Sequence, residues 1–138
     1  MQVDLERVRE FARRYTAAWC SGDPARVAEF FAPHGSLAIN GAPPAVGSSA
    51  IAESARSFMT AFPDLRVSMD GLCEGTGGIE YHWTLNGTNT GPGGTGNRVR
   101  VSGFELWRFD AEGRIATSKG HFDQADYDRQ LRSRTVTG

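Results

Sequence analysis

Apolar residues first recur along the chain at helical spacing. Leu5, Val8, Phe11, Tyr15 and Trp19 fall at three- and four-residue steps, which places them on one face of a helix. Asp4 is its predicted N-cap, able to accept hydrogen bonds from the free amides of the first turn. Ser21-Gly22 ends the helix, because glycine takes the left-handed turn at a helix C-terminus without a steric cost. Asp23-Pro24 predicts a second helix, with Asp23 as cap and Pro24 at the first helical position, where no amide is needed. Val27, Phe30 and Phe31 give that helix an apolar side, and Pro33 is expected to end it. Leu37–Asn40 predicts a short strand and GAPPAVG (residues 41–47) a loop. Ser48 or Ser49 caps a third helix, with Ile51, Ala55, Phe58 and Phe62 on one face and Pro63 closing it.

Beyond Pro63 the period shortens to that of a strand. Leu65–Met69 is one strand candidate. Ile79–Asn86 alternates Ile79, Tyr81, Trp83 and Leu85 against Glu80, His82, Thr84 and Asn86. Arg98–Phe109 is the longest predicted strand, followed by a turn at Asp110–Gly113 and a strand at Arg114–Ser118. QADYDRQL (residues 124–131) reads as a short terminal helix capped by Asp123. Helices followed by an antiparallel meander predict the α+β class. A curved sheet covered on one side by helices encloses a cone, and such cones hold small molecules. The pattern divides the chain into one domain, residues 1–131, and a tail, residues 132–138, with no internal repeat.

Composition narrows the partners. A chain of 138 residues and 15.0 kDa is one domain's worth and can bury a core without staples. The net charge of −1 lacks the basic excess of a general nucleic-acid binder. No apolar run approaches the ~18 residues of a membrane span. The N-terminal MQVDLERVREFARR is charged and amphipathic, with no signal-peptide core, which leads to the expectation of a cytoplasmic protein. Cys20 and Cys73 lie in unrelated contexts outside any CxxC pair and are expected to be buried apolar thiols. No His/Cys/Asp cluster shows metal-ligand spacing, so neither a metal nor a cofactor is expected. The partners that fit are a small apolar or aromatic molecule and a second copy of the chain.

Three stretches carry a family likeness: RRYTAAWCSGDPARVAEFFAP (13–33), GTNTGPGGTGNRVRVSGFELWRF (87–109) and GRIATSKGHFDQADYDRQL (113–131). Together they resemble the SnoaL-like polyketide cyclases of the nuclear transport factor 2-like superfamily, whose fold the ketosteroid isomerases share. The resemblance implies a cone-shaped, curved antiparallel sheet with three N-terminal helices over an apolar pocket. It also implies a homodimer formed through the outer face of the sheet. The reaction does not follow from it, because this fold hosts cyclases, isomerases, hydratases, epoxide hydrolases and non-enzymatic binders.

Two residues attract attention as chemistry. Glu105 stands mid-strand in GFELWRF, and a carboxylate among apolar neighbours must be paired, protonated or turned to solvent. The resemblance places it where ketosteroid isomerases carry a neutral acid of the oxyanion hole, kept protonated by its apolar site, and where the cyclases carry a histidine. The plain alternative is an exposed glutamate paired across the sheet with Arg98 or Arg100. Tyr15, in RRYTAAW, matches the isomerases' phenol donor to a developing enolate; alternatively it is a core tyrosine bonded to backbone.

If Glu105 faces the cavity, alternation turns Trp107 inward too. Trp19, Phe58, Phe62, Tyr81 and Trp83 would then complete an aromatic substrate-binding lining, unless some simply fill the cone as core. The resemblance also shows what has changed. The cyclases carry a catalytic Asp in a pattern like HxD-x-FDQ, and matching FDQ to Phe122-Asp123-Gln124 puts Gly120 at the Asp and Ser118 at the preceding His. The isomerases' base lies on the strand after the second helix, where Leu37-Ala38-Ile39-Asn40 has no carboxylate. His121, or Glu105 itself, is the candidate replacement base. Strict alternation turns His121 outward, so that role requires a bulge. His34 and His82 read as structural, and the glycine-rich segment 87–97 as a strand connection at the pocket mouth, either a gate or a flexible hairpin.

Three functions fit. The first is a cofactor-independent enzyme using Tyr15, Glu105 and His121 for cyclisation, isomerisation or hydration of an apolar carbonyl or polyketide-like substrate. The second is a non-catalytic small-molecule binder that kept the pocket and lost the base. The third is a scaffold dimer with the cone filled.

Overall fold

The computed structural model describes residues 4–132. Asp4 caps α1 (Leu5–Cys20) by accepting from the amides of Glu6 and Arg7 at 3.1 and 3.4 Å. Of the predicted stripe, Val8, Tyr15 and Trp19 are buried, joined by Ala12 and Ala18, while Phe11 is half-buried and Leu5 is exposed. Asp23 caps α2 (Pro24–Ala28), with Pro24 in the first turn. This helix is shorter than its sequence suggests. Phe31 leaves it to begin β1 (Phe31–Ile39), so Pro33 lies within a strand and does not end a helix. The sheet tolerates that proline because the pairing of β1 with its neighbour is broken by a register shift between Phe31 and Ser36. The expected strand 37–40 is thus the second half of a longer one.

The loop 41–47 contains a two-residue strand, β2 (Ala45–Val46), paired antiparallel to Ser36 and Leu37. α3 (Ser48–Ala61) follows it. Its N-cap is Gly47 and not either serine, and no side chain caps it. Ile51, Ala55 and Phe62 are buried along the predicted face, with Phe58 half-buried.

The remaining strands are β3 (Arg66–Gly75), β4 (Gly78–Thr88), β5 (Arg98–Phe109) and β6 (Ile115–Phe122). β5 has the predicted bounds; β3 and β6 run further than expected because pairing with a neighbour carries them past their apolar residues. All six strands form one sheet in the order β2-β1-β6-β5-β4-β3. It is antiparallel except where β1 joins β6 in parallel, which closes the meander onto the N-terminal half.

Register then decides which residues share a face. Leu72, Tyr81, Glu105, Gly120 and Ile39 form one cross-strand row on the concave side. The helices cover that side, and its core includes Ile79, Tyr81, Trp107 and Ile115. α4 (Gln124–Arg132) folds back over the far end, its first turn capped by Asp123 through the Asp126 amide at 3.0 Å. The Gln130 side chain holds it there by pairing with the Arg100 backbone as a strand would. It accepts from the Arg100 amide at 2.7 Å and donates to the Arg100 carbonyl at 2.9 Å. Both cysteines are exposed rather than buried, each at a position outside the core faces.

Candidate active site

Glu105 comes from the middle of β5, on the concave face, and is 7% exposed. A carboxylate removed from water needs donors, and three converge on it. The Ser118 hydroxyl on β6 donates to Oε1 at 2.7 Å, and the Trp107 Nε1–H, two residues along β5, at 3.0 Å. The Tyr15 hydroxyl on α1 reaches Oε1 at 2.9 Å and Oε2 at 3.1 Å. Oε1 is therefore saturated, and Oε2 holds only the longer arm of the tyrosine bond.

Burial pushes the Glu105 carboxyl up from its ordinary 4.5, against the pull of the Trp107, Ser118 and Tyr15 hydrogen bonds. Burial, followed by the nearby Glu105 charge, holds the Tyr15 phenol well above 10, so it stays a donor. The expected cross-strand ion pair of Glu105 with Arg98 or Arg100 does not form, since those arginines alternate to the exposed side.

Glu105 faces a pocket whose empty space, open mouth included, is about 610 Å³. Trp19 and Phe58 form the helical wall; Tyr81, Trp83, Glu105 and Gly120 form the sheet wall, as the sequence suggests. Glu105 is the one carboxylate in that lining. The Tyr81 hydroxyl is turned to Thr16 Oγ1 at 2.5 Å. Gly120 lines the same wall beside the acid. A Cβ there would sit 3.8 Å from Glu105 Cγ, in ordinary contact with it.

Five predicted site residues lie elsewhere. Tyr15, Trp107 and Ser118 are fully buried behind Glu105, touching it rather than the pocket. Trp107 is stacked on Tyr81 with centroids 4.7 Å apart. Phe62 is buried against Gly87, where a Cβ would come within 2.9 Å of its own. His121 sits one residue past Gly120 with no bulge to turn it inward. It is exposed on the convex face, its ring 5.1 Å from Phe104, so the structure does not bring it to Glu105.

The pocket also uses residues that the sequence reading passed over. Leu37, Ile39, Val67, Leu85, Val101 and Phe122 line it, and strand alternation carried from Tyr81 and Glu105 would have found most of them. Tyr127, which closes the far side from α4, carries no such signal, because only the fold-back of that helix brings it near. The segment 87–97 is anchored to the end of α3. The buried Asn89 donates to the Ala61 carbonyl at 3.1 Å and accepts from the Thr95 amide at 2.8 Å, which binds the loop to the end of α3. Gly91 packs so closely that a Cβ would fall 2.0 Å from the Thr60 carbonyl oxygen.

Comparison with known proteins decides the family. The sequence profile described as "SnoaL-like polyketide cyclase" matches residues 9–131. The chain belongs to that family. No curated protein matches it. Solved structures share the nuclear transport factor 2-like fold at low identity. One is a hypothetical protein with a ketosteroid isomerase-like fold from Catenulispora acidiphila DSM 44928 in complex with trimethylamine, at TM-score 0.77 and 15% identity over 94% of this chain and 97% of that one. Another is SalBIII, an epoxide hydrolase/cyclase-like enzyme of pyran ring formation in the polyether salinomycin. It aligns at TM-score 0.76 and 19% identity over 89% of this chain and 95% of that one. TsrD from Streptomyces laurentii aligns at TM-score 0.79 and 19% identity over 95% and 98%. Among the described residues no helix is long and apolar enough to cross a membrane.

Proposed function

We propose that this SnoaL-like protein is a cofactor-independent acid/base catalyst for cyclisation, isomerisation or hydration of an apolar substrate. The observation that carries the reading is Glu105: one carboxyl in an otherwise apolar and aromatic wall, with Oε1 saturated by three donors and Oε2 holding only the longer arm of the tyrosine bond. A base must reach the proton it takes and hold it with an affinity near the working pH. Burial raises the affinity of Glu105 for a proton, and the donors on Oε1 direct that proton to Oε2. The carboxylate takes a proton from a carbon next to a carbonyl, or from a hydroxyl, and the resulting acid returns it to the oxygen or carbon that gains electrons. Tyr15, Trp107 and Ser118 are positioning residues: they hold the carboxylate and do not meet the substrate.

Glu105 thus takes over the task of the base lost at Gly120. The aromatic rings of Trp19, Phe58, Tyr81 and Trp83 suit a flat or polycyclic substrate. Pairing of two copies through the convex face of the sheet, which the family likeness implies, rests on the half-buried Phe104 and Leu106 there; sedimentation at assay concentration tests it.

Turnover assayed on a panel of cyclic ketones, epoxides and linear polyketide mimics tests the proposal. Expected is turnover of at least one class, with kcat/KM rising as a group of pKa above 4.5 loses its proton, and loss of that turnover in Glu105→Gln. Tight binding by the wild-type chain with no turnover of any class would favour the alternative, a binding protein that kept the pocket after losing the base.

A further inference from the structure

The convex face of the sheet carries a second cluster of chemically active side chains, unrelated to the pocket. The β3–β4 hairpin sets Cys73 directly across from Glu80, and His82 follows two residues along β4 on the same face. The Cys73 Sγ, a Glu80 carboxylate oxygen and a His82 ring nitrogen lie within 4.8 Å of one another. His82 Nε2 and Glu80 Oε1 are already 3.0 Å apart. We propose that these three residues bind a borderline divalent cation of the zinc class.

The donor set selects the ion. A thiolate, an imidazole and a carboxylate suit Zn²⁺ and its neighbours rather than Mg²⁺ or Ca²⁺, which take oxygen ligands. The two anionic ligands neutralise the cation. Tetrahedral coordination with Zn–S near ~2.3 Å and Zn–N near ~2.0 Å places ligand atoms about 3.5 Å apart, so rotation of exposed side chains closes the remaining distance. On binding, the Cys73 thiol gives its proton to solvent, and the ring proton that His82 Nε2 directs at Glu80 moves to Nδ1 through solvent, which frees the Nε2 lone pair for the metal.

The backbone favours this convergence. The three residues stand on paired strands and not on a loop, which fixes their spacing. A register shift between Met69 and Gly71 brings Gly71, which has no side chain, opposite His82, so nothing across the strand pair obstructs the imidazole on that side. Cys73 is exposed in the single chain, so there the fourth coordination position falls to water.

Cobalt(II) is the probe, since a Co²⁺–thiolate bond produces a near-ultraviolet charge-transfer band and tetrahedral geometry intensifies its visible bands. The freshly reduced protein, freed of reductant and chelator, is titrated with Co²⁺ and then with Zn²⁺. Expected is a thiolate charge-transfer band that Zn²⁺ abolishes, that is lost in Cys73→Ser and that survives in Cys20→Ser. His82→Ala should weaken Co²⁺ binding by at least the ~10–100-fold seen when even a supporting outer group is removed. Circular dichroism confirms that each exposed-site variant is folded. A wild-type protein with no charge-transfer band, a band that persists in Cys73→Ser, or one lost in Cys20→Ser overturns the proposal.

Discussion

Glu105 and Glu80 lie on adjacent strands of one sheet, and their cross-strand partners, Tyr81 and Leu106, are each next to the other glutamate in sequence. Yet they face opposite sides. Glu105 is buried under the helices with Tyr15, Trp107 and Ser118 donating to it. Glu80 stands on the convex side, its side chain 36% exposed, with His82 for company. The same residue type thus has two chemistries. On the concave side desolvation makes the carboxyl hold its proton more tightly in an apolar pocket; on the convex side the carboxyl stands in water beside an imidazole and a thiol. What separates them is the pleat, which turns alternate residues to opposite faces, and the one-sided cover of helices that makes those faces unequal.

The contrast can be broken most sharply at Glu105. Glu105→Gln keeps the shape and the three donors but removes the proton carrier, and turnover is expected to fall about 10²–10⁴-fold; steady-state assays on the responsive substrate measure it. A loss of less than about tenfold would remove Glu105 from the reaction. Next in size is the packing behind the site. Trp107→Ala removes a ring with no exposure, stacked on Tyr81, and should cost about 3–5 kcal/mol in urea unfolding.

Tyr15→Phe tests positioning. It deletes a donor to the carboxylate at the cost of about 1–3 kcal/mol for a buried hydrogen bond to a charged group. The tyrosine bond lowers the Glu105 pKa, so its removal should move the pH profile of kcat/KM to higher pH while Glu105 still turns over substrate. A lost rate with an unmoved profile would contradict that role.

The pH dependence of stability sharpens the comparison further. Glu105 binds its proton more tightly in the folded than in the unfolded chain. Its contribution is therefore fullest below the unfolded carboxyl's value near 4.5, and is lost as pH rises through the higher folded value. Unfolding free energies measured across that window should decline by about 1.4 kcal/mol for every pH unit it spans, and Glu105→Gln should remove the decline. Smallest of all, Glu80→Gln on the convex face should change stability by no more than about 0.5 kcal/mol in the same measurement.

Much of this was legible in the chain, and the reasons differ by residue. The α1 stripe and the alternation of β4 and β5 are local patterns, so Tyr15, Trp19, Tyr81 and Trp83 fell on the faces expected of them. Glu105 stood out because an acid inside an apolar strand violates its local pattern. Phe31 was misread because its apolar run fits a helix as well as a strand, and only pairing with Ile115 settles the choice. Ser118 and Trp107 were expected as lining and became donors to the acid, since alternation gives the face of a residue but not its depth within it. The thiols were read as buried because cysteine usually is, whereas Cys73 lies on the convex side and Cys20 at the exposed end of α1.

The sequence by itself determined most of the elements, their order, the family and the place of an acid inside an apolar strand, because each depends on residues near one another in the chain or on a pattern repeated along it. The tertiary structure alone decided what that acid meets. Tyr15 lies 90 residues away from Glu105, and Ser118 comes from the next strand. It likewise decided that Gly120 pairs with the acid in the pocket wall, that His121 turns away from it, and that Cys73 faces Glu80 and His82 across a hairpin. Register and the closing of β1 onto β6 bring these groups together, and register is fixed by the pairing of strands rather than by any residue alone.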